Sequence, residues 1–563
     1  MDGSRLHGRA SLFTLAVGLC LLVGCTTPAP IPQERAVVPP VKPTTSHLVP
    51  ATNPDALAHY AAGVSLEARV GAASALPEYE KAFELDPKNA ALAGRLAQIY
   101  LSQKERDKAL ALLDRAIKAN PDSPEPWFWT GVAHRTGDEL PLAISDFQNA
   151  LKRKGDHLPS IRALVEAYFQ KDMLNEVPAL LEHAFNQNST DAPFWVGLGD
   201  LYMFVLKQKP SLASLISSRH TVECYQKARK NNPRDPEILL RLAETQMTAN
   251  NYAGAADAYA MLLKLRPDLT QLRERLATAY LNADQKEKAL AAYRDILKRE
   301  PMRYDIHNTV AELCQDLDKD ADAAVHLELS LGLNPNQFEV YVRLVLVRLR
   351  QKRLNDALQT IANARKKFPT RFQLSYLTGL VYSEQKQPAK AVAAYAEAEQ
   401  LIKASDEDKP NSPFYFVYGA ACERNGQFDK AVTLLKKSLE LEPKNHNAAN
   451  YLGYMWADKN QNLTEALDLI NKALAIQPDN AAYLDSLGWV YFRLGRLDDA
   501  LKQLRRSIEL LKEPDATVYD HIAEVLLKLG KRDEALANLR KATEVDPENK
   551  DLAEKLKKWT AAK

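Results

Sequence analysis

The chain has 563 residues, with 74 Lys and Arg against 72 Asp and Glu, a formal charge of +2. A balance this close argues against a dedicated nucleic-acid footprint, which needs a basic surplus. Hydrophobic residues make up 46% and charged residues 26%, in keeping with a soluble body.

The first stretch reads as an address. Arg5 and Arg9 precede an apolar run from Leu12 to Val23. That run is too short to span a bilayer comfortably and has the form of a signal-peptide core. It closes in Leu22-Val23-Gly24-Cys25, which resembles the lipobox of bacterial lipoproteins. The resemblance implies that Cys25 is acylated and becomes the first residue of the mature chain. Several acyl chains give stable anchoring where one does not. Thr26 follows the cysteine, and in Gram-negative relatives Asp at that place retains lipoproteins in the inner membrane. Thr26 therefore favours the outer membrane, facing the periplasm. An ordinary secretory signal with an incidental cysteine, or a transmembrane anchor, is the plainer alternative.

Seven prolines, Pro28, Pro30, Pro32, Pro39, Pro40, Pro43 and Pro50, then fall in a segment without apolar periodicity. Such a segment forms an extended spacer at roughly 3 Å per residue, a reach of about 75 Å at most. It would hold a folded body away from the membrane surface.

The rest of the chain is repetitive. Pro87 and Pro121 lie 34 residues apart, and Pro233, Pro267, Pro301, Pro335 and Pro369 keep that interval. Pro443, Pro478 and Pro547 continue the series with small slippages. Each cassette predicts two helices. In the thirteenth, Asp479-Asn480 offers N-cap residues, and Leu484, Leu487, Gly488 and Tyr491 mark one face of a helix A. Gly488 allows close approach of a partner helix, and Gly495 ends helix A. Ala500, Leu504 and Ser507 mark the packed face of helix B, which a proline then stops. Fourteen cassettes can be followed. The fourth is degenerate, with Ser189 in the proline place. The fifth carries an insertion around Lys207 to Ser217, and a polar insert at residues 406–411 follows the tenth.

This pattern, with its 34-residue period, resembles the tetratricopeptide repeat. The resemblance implies an all-α superhelical solenoid whose helices A line an inner, concave face. The expected organisation is a signal peptide at 1–24, a lipidated cysteine and Pro-rich linker at 25–55, a solenoid at 56–549 and a capping helix at 550–563. A polar outer face on that last helix would protect the end of the array.

The last three cassettes carry a narrower likeness. Tyr451-Leu452-Gly453-Tyr454, Asp485-Ser486-Leu487-Gly488-Trp489-Val490, Arg493-Leu494-Gly495 and His521-Ile522 form one signature. It is similar to the C-terminal part of large envelope lipoproteins of Gram-negative bacteria. One of these is the outer-membrane lipoprotein partner that brings cell-wall hydrolases to a periplasmic carboxyl-terminal processing protease. Trp456 and Tyr519-Asp520 depart from the common pattern.

Positions 2, 5, 9 and 12 of helix A form a stripe beside the packed face. In the tetratricopeptide family that stripe lines the groove. Here it reads Asn447, Asn450, Tyr454 and Ala457, then Ala482, Asp485, Trp489 and Phe492, then Thr517, Asp520, Glu524 and Leu527. Tyr376 and Phe416 extend it to repeats 10 and 11, and Arg493 flanks it. Aromatics with an arginine in a concave site are common binding anchors. Two readings stand together: these aromatics anchor a protein ligand, or they pack between neighbouring helices as core. Asp485, Asp520 and Glu524 would meet a basic segment, or are a solvated acidic face. Arg343, Arg348 and Arg350, set among Val and Leu, read as the charged side of an ordinary helix A or as a membrane contact.

Catalytic signatures are missing from the sequence. No HExxH, no CxxC pair and no GxxxxGK[ST] loop occurs. Gly197-x-Gly199 lies inside a repeat, and no histidine adjoins Asp485-Ser486 in the motif. Cys224, Cys314 and Cys422 sit alone on separate helices and read as small buried residues. No catalytic role, metal or cofactor is expected. The sequence thus predicts a scaffold or adaptor for periplasmic proteins, a protease among them. Its alternative is an assembly or pilotin-like factor for a secretion, pilus or polysaccharide-export machine.

Overall fold

The computed structural model describes residues 53–217, 219–404 and 410–561. The expected signal peptide, Cys25, most of the expected linker and most of the polar insert lie outside the described residues. Among the described residues there are twenty-nine α-helices, one short 3-10 turn and no strand. Twenty-eight of the helices form fourteen antiparallel pairs, and Lys550–Ala561 follows the last pair. The first helix is Pro54–Arg69, with Asn53 as its cap, so the end of the expected linker already belongs to the fold.

The chain divides into two compact units at Glu300. One holds repeats 1–7, the pairs from Pro54–Arg69 to Lys286–Arg299, and the other holds repeats 8–14 with the final helix. Each is described by itself below.

Within a pair, the contact between helices A and B is set by missing side-chain volume. A Cβ on Gly488 would sit 2.5 Å from Leu504 Cγ and 3.1 Å from the Ala500 carbonyl oxygen. A Cβ on Gly131 would meet Phe147 at 2.6 Å and the Ala143 carbonyl at 3.1 Å. The facing alanines of helix B, among them Ala75, Ala143, Ala391 and Ala500, are completely buried. Small residues on both sides bring the two backbones together, and one large side chain from helix B fills the space that each glycine leaves.

The turn from A to B repeats a single conformation. Gly426, Gly495 and Gly530 take φ between +74° and +78°. Lys104, Asp138, Asp172, Asn250, Asp284, Asp318, Lys352, Lys386 and Asn460 occupy the same left-handed region without being glycine. Gly495 N–H donates to the Phe492 carbonyl at 3.0 Å and Arg496 N–H to the Tyr491 carbonyl at 2.9 Å. Lys386 and Gln387 make the same two bonds, to Ser383 and Tyr382. These bonds close the end of helix A. The prolines act at the other junction. Helix B of repeat 1 ends at Leu85, and Asp86 before Pro87 leaves the helical region with ψ 75°.

In the unit of repeats 1–7, helices A are joined by a row of ion pairs. Arg135 meets Glu166 at 2.8 Å, Arg241 meets Asp200 at 2.6 Å and Arg275 meets Glu244 at 2.6 Å. The insertion in repeat 5 is packed. Helix A runs on to Gln208, the 3-10 turn Pro210–Ser214 follows, and Leu212 and Ile216 are buried in the same cluster as Val205. Repeat 4, degenerate in sequence, has the short helix B Glu176–Phe185.

In the unit of repeats 8–14, the basic run is held within the chain. Arg343 donates to Gln315 Oε1 at 2.9 Å, Arg348 to Glu328 Oε1 at 2.6 Å and Arg350 pairs with Asp320. This is the helix-A reading of the run. No helix among the described residues is long and apolar enough to cross a membrane. Cys224, Cys314 and Cys422 are fully buried. Burial pushes the Cys224 thiol up to about 12 and the Cys422 thiol up to about 11, so neither is a thiolate near neutral pH.

A non-glycine residue held at positive φ costs roughly 1 kcal/mol. Lys386→Gly is therefore expected to raise the stability of repeat 10 by up to about 1 kcal/mol, and Gly495→Ala to lower that of repeat 13 by a similar amount. Amide hydrogen exchange of the flanking helices measures both. Equal protection in wild type and variants would show that the turn carries no strain.

Candidate functional site

Helices A of repeats 12, 13 and 14 are His446–Asp458, Ala481–Arg493 and Ala516–Lys528. Each begins at a side-chain cap. Asn445 Oδ1 accepts from Ala448 N–H at 3.0 Å, Asn480 Oδ1 from Ala482 N–H at 3.1 Å and Asp515 Oδ1 from Thr517 N–H at 2.8 Å. The caps satisfy free N–H groups and fix where each helix starts. Position 9 of one helix therefore faces positions 5 and 6 of the next.

The stripe converges on an aromatic stack. The His521 ring lies 4.1 Å from that of Trp489 at an interplanar angle of 17°. Phe492 continues the stack 5.0 Å from Trp489, and Tyr454 lies 6.1 Å from His521. Repeats 12, 13 and 14 thus meet through one histidine. Trp489 is 6% exposed, Tyr454 7% and His521 5%.

Charges surround the stack. His521 Nδ1 is 2.8 Å from Asp485 Oδ1. Burial, the largest influence on His521, disfavours its charged form, yet Asp485 and Asp520 together outweigh it and hold the imidazolium above its usual range. The Tyr454 hydroxyl is pushed well above its ordinary value by burial, with Asp485, Asp458, Asp520 and Glu423 adding to it. Lys555, from the final helix, pairs with Asp520 and with Glu524 Oε1 at 2.5 Å. Its ammonium also stands 5.0 Å from the Trp559 ring. Arg493 donates from Nε to the Ala457 carbonyl at 2.9 Å and from Nη2 to the Asp458 carbonyl at 2.7 Å. A guanidinium on the last carbonyls of a helix complements its dipole. Asn447 Oδ1 accepts from Tyr483 Oη at 2.7 Å. Asn450 Oδ1 and Trp489 Nε1 are buried with no hydrogen-bond partner in the chain.

Six of the expected groove residues are buried in this geometry. Tyr376 is 1% exposed and packs 6.0 Å from both Tyr395 and Phe414, so it fills the interior between repeats 10 and 11. Phe416 is buried edge-on against Tyr451 at 5.7 Å. Both hold neighbouring helices apart and have almost no free surface. Tyr454, Trp489, Asp485 and Asp520 are also buried, whereas Asn447, Asn450, Phe492, Arg493 and Glu524 keep part of their surface open.

Sequence reasoning read His521 only as part of a signature and missed Lys555. The partner of Asp485 lies 36 residues away, one repeat plus one helical step. Pairs at this kind of separation recur: Arg493 with Ala457 and Tyr483 with Asn447 are also 36 apart. A search for polar pairs offset by one repeat was the available signal. Among the described residues, no cluster of three or more His, Cys, Asp or Glu has the arrangement of a metal site.

Tetratricopeptide-repeat family profiles match residues 72–127, 222–269, 267–464, 447–513 and 516–549. The chain is thus built of tetratricopeptide repeats, and its fold is a tetratricopeptide-repeat solenoid. Proteins of this class generally hold other proteins or peptides. Curated relatives include the BBSome complex member BBS4 of Bos taurus, 21% identical over 36% of this chain and 37% of its own length. The peroxisomal targeting signal receptor of Saccharomyces cerevisiae is 22% identical over 35% of this chain and 32% of its own. The chain spans about a third of the length of these two. The TPR repeat-containing protein YpiA of Bacillus subtilis is 22% identical over 64% of this chain and 82% of its own. Among solved structures, the anaphase-promoting-complex hetero-tetramer Cut9–Hcn1 aligns over 83% of this chain and 96% of its own at TM-score 0.38 and 16% identity. A tetratricopeptide-repeat protein from Parabacteroides merdae aligns over 46% of this chain and 98% of its own at TM-score 0.38 and 18% identity.

Lys555 compensates two carboxylates at a place where its side chain is 11% exposed. Removing one partner of such a group leaves uncompensated charge, at a cost of about 3 kcal/mol. Lys555→Met is expected to destabilise repeat 14 by that order, while Asp520→Asn together with Lys555→Met recovers part of the loss. Urea denaturation of the two variants measures the difference.

Proposed function

We propose that the chain is a non-catalytic adaptor, tethered to the bacterial envelope through acylated Cys25, that holds periplasmic proteins on the helix-A stripe of repeats 12–14. A protease and its substrates are the partners that the C-terminal signature favours. Two of the eleven buried side-chain polar atoms without a partner among the described residues lie on this stripe, and they support the reading. Asn450 Oδ1 is an acceptor without a donor and Trp489 Nε1 a donor without an acceptor, each buried on a helix A of the stripe. An unpaired buried polar atom costs about 1–3 kcal/mol. A peptide main chain carries both missing complements, an N–H and a C=O. Phe492, Arg493 and Glu524 add partly open surface beside them.

The tether rests on Arg5, Arg9, the Leu12–Val23 run and Cys25 in order. Thr26 favours the outer membrane, and the proline-rich stretch after it gives the body its reach. Replacement of Cys25 by Ser should move the protein from the membrane to the soluble fraction, read by immunoblot. A wild-type chain already found in the soluble fraction refutes the tether.

Affinity capture from envelope extract, read by mass spectrometry, tests the stripe. An anchor aromatic is worth about 2 kcal/mol, or roughly a thirty-fold loss of affinity. Phe492→Ala lowers the thermal melt, because the ring packs on Trp489, and is expected to lose the captured protease or wall hydrolase at a temperature where the variant is still fully helical. Equal capture by wild type and variant moves the binding surface elsewhere. Capture of a secretin, pilus or polysaccharide-export component instead supports the assembly-factor alternative.

A further inference from the structure

Three helices A and the final helix converge on His521, and the stripe is shut where they do. Repeat 12 contributes Tyr454 and, behind it, Asp458. Repeat 13 contributes Asp485, bonded at 2.8 Å, and Trp489, stacked at 4.1 Å, with the Arg493 guanidinium 5.5 Å from the Trp489 ring. The histidine's own helix contributes Asp520 and Glu524, and the final helix answers both with Lys555. Lys555 is committed to that pair of acids. The remaining carboxylate, Asp485, has the imidazole as its hydrogen-bonding partner.

We propose that His521 is a proton-operated clasp on the stripe. Protonated, it pins repeat 14 to Asp485 and Trp489 of repeat 13 and keeps Trp489 and Tyr454 covered. On losing its Nε2 proton it keeps the Nδ1–H bond to Asp485 but leaves that carboxylate buried without a countercharge, and the three helices A part to let it reach water. Uncovering Trp489 and Tyr454 turns two enclosed rings into open contact surface. The inference rests on the reading of this stripe as the binding surface, but its test uses no ligand, so the two can fail separately.

The sign follows from the environment. The folded-state value of His521 lies above its ordinary 6.5. Its contribution is complete below pH 6.5 and is lost as the pH rises through the folded-state value. The clasp is therefore closed on the acid side and open on the alkaline side.

A charged imidazole stacked on an indole quenches its fluorescence, which gives a direct reading. Emission of the mature protein is recorded from about pH 5.5 to about pH 9, a range that brackets histidine titration. Subtraction of the Trp489→Phe variant isolates Trp489. The expected result is a rise in Trp489 emission with a midpoint above 6.5. Loss of amide protection in 481–493 and 516–528, corrected for intrinsic exchange, should follow the same curve. His521→Gln should lack both transitions. Should that variant fail to fold, the midpoint comes from histidine NMR of the wild-type protein. A His521 midpoint at or below 6.5 overturns the proposal, as does amide protection that stays constant across the midpoint.

Discussion

The structure depends on the closeness of two helix backbones. Where Gly488 faces Ala500 and Gly131 faces Ala143, no added methyl group fits without displacing the Leu504 or Phe147 side chain. That contact fixes the angle and phase of each pair, and each pair presents its faces to the next. In a repeat array, local geometry of this kind sets neighbouring contacts, because each unit packs mainly on the units beside it. The left-handed turn after helix A serves the same end, since it directs helix B back along the glycine.

From this constraint comes the character of the stripe. Helices A stand in line with their caps in register, so a side chain at one position meets its counterpart one repeat away. In repeats 1–7 the row is bridged by arginine and carboxylate pairs. In repeats 12–14 it is bridged by rings, with His521 between Trp489 and Tyr454. Ion pairs at a partly exposed row contribute little each and are screened by salt. A buried stack of rings is shielded from that screening.

Most of the fold was legible because it is written in a short period. Gly488, Gly495, Ala500 and the prolines each state a local rule, and repetition removes the ambiguity that a single cassette would leave. The site was legible only as a set of positions. Helical phase puts Tyr376 and Trp489 on the stripe, but burial depends on the size of residues one repeat away, and Tyr395 and Phe414 close over Tyr376. His521 was legible only as part of a signature, because its partner is on another helix, 36 residues distant. Lys555 escaped notice because it sits in a charged helix whose outer face suits water, and the inward direction of one lysine is not a property of composition. Cys25 and the apolar run before it lie outside the described residues, and their reading as a lipidated leader rests on sequence alone.

The enlarged fifth repeat separates two kinds of spacing. Across it, Arg241 and Asp200 are 41 residues apart in sequence, against 31 for Arg275 with Glu244 and for Arg135 with Glu166. The contact itself is unchanged at 2.6 Å. Extra chain between the two helices of that pair is tucked behind the row and leaves neighbours in register. Length added inside one pair leaves the helix-A spacing intact where, as here with Leu212 and Ile216, it brings its own apolar residues to bury.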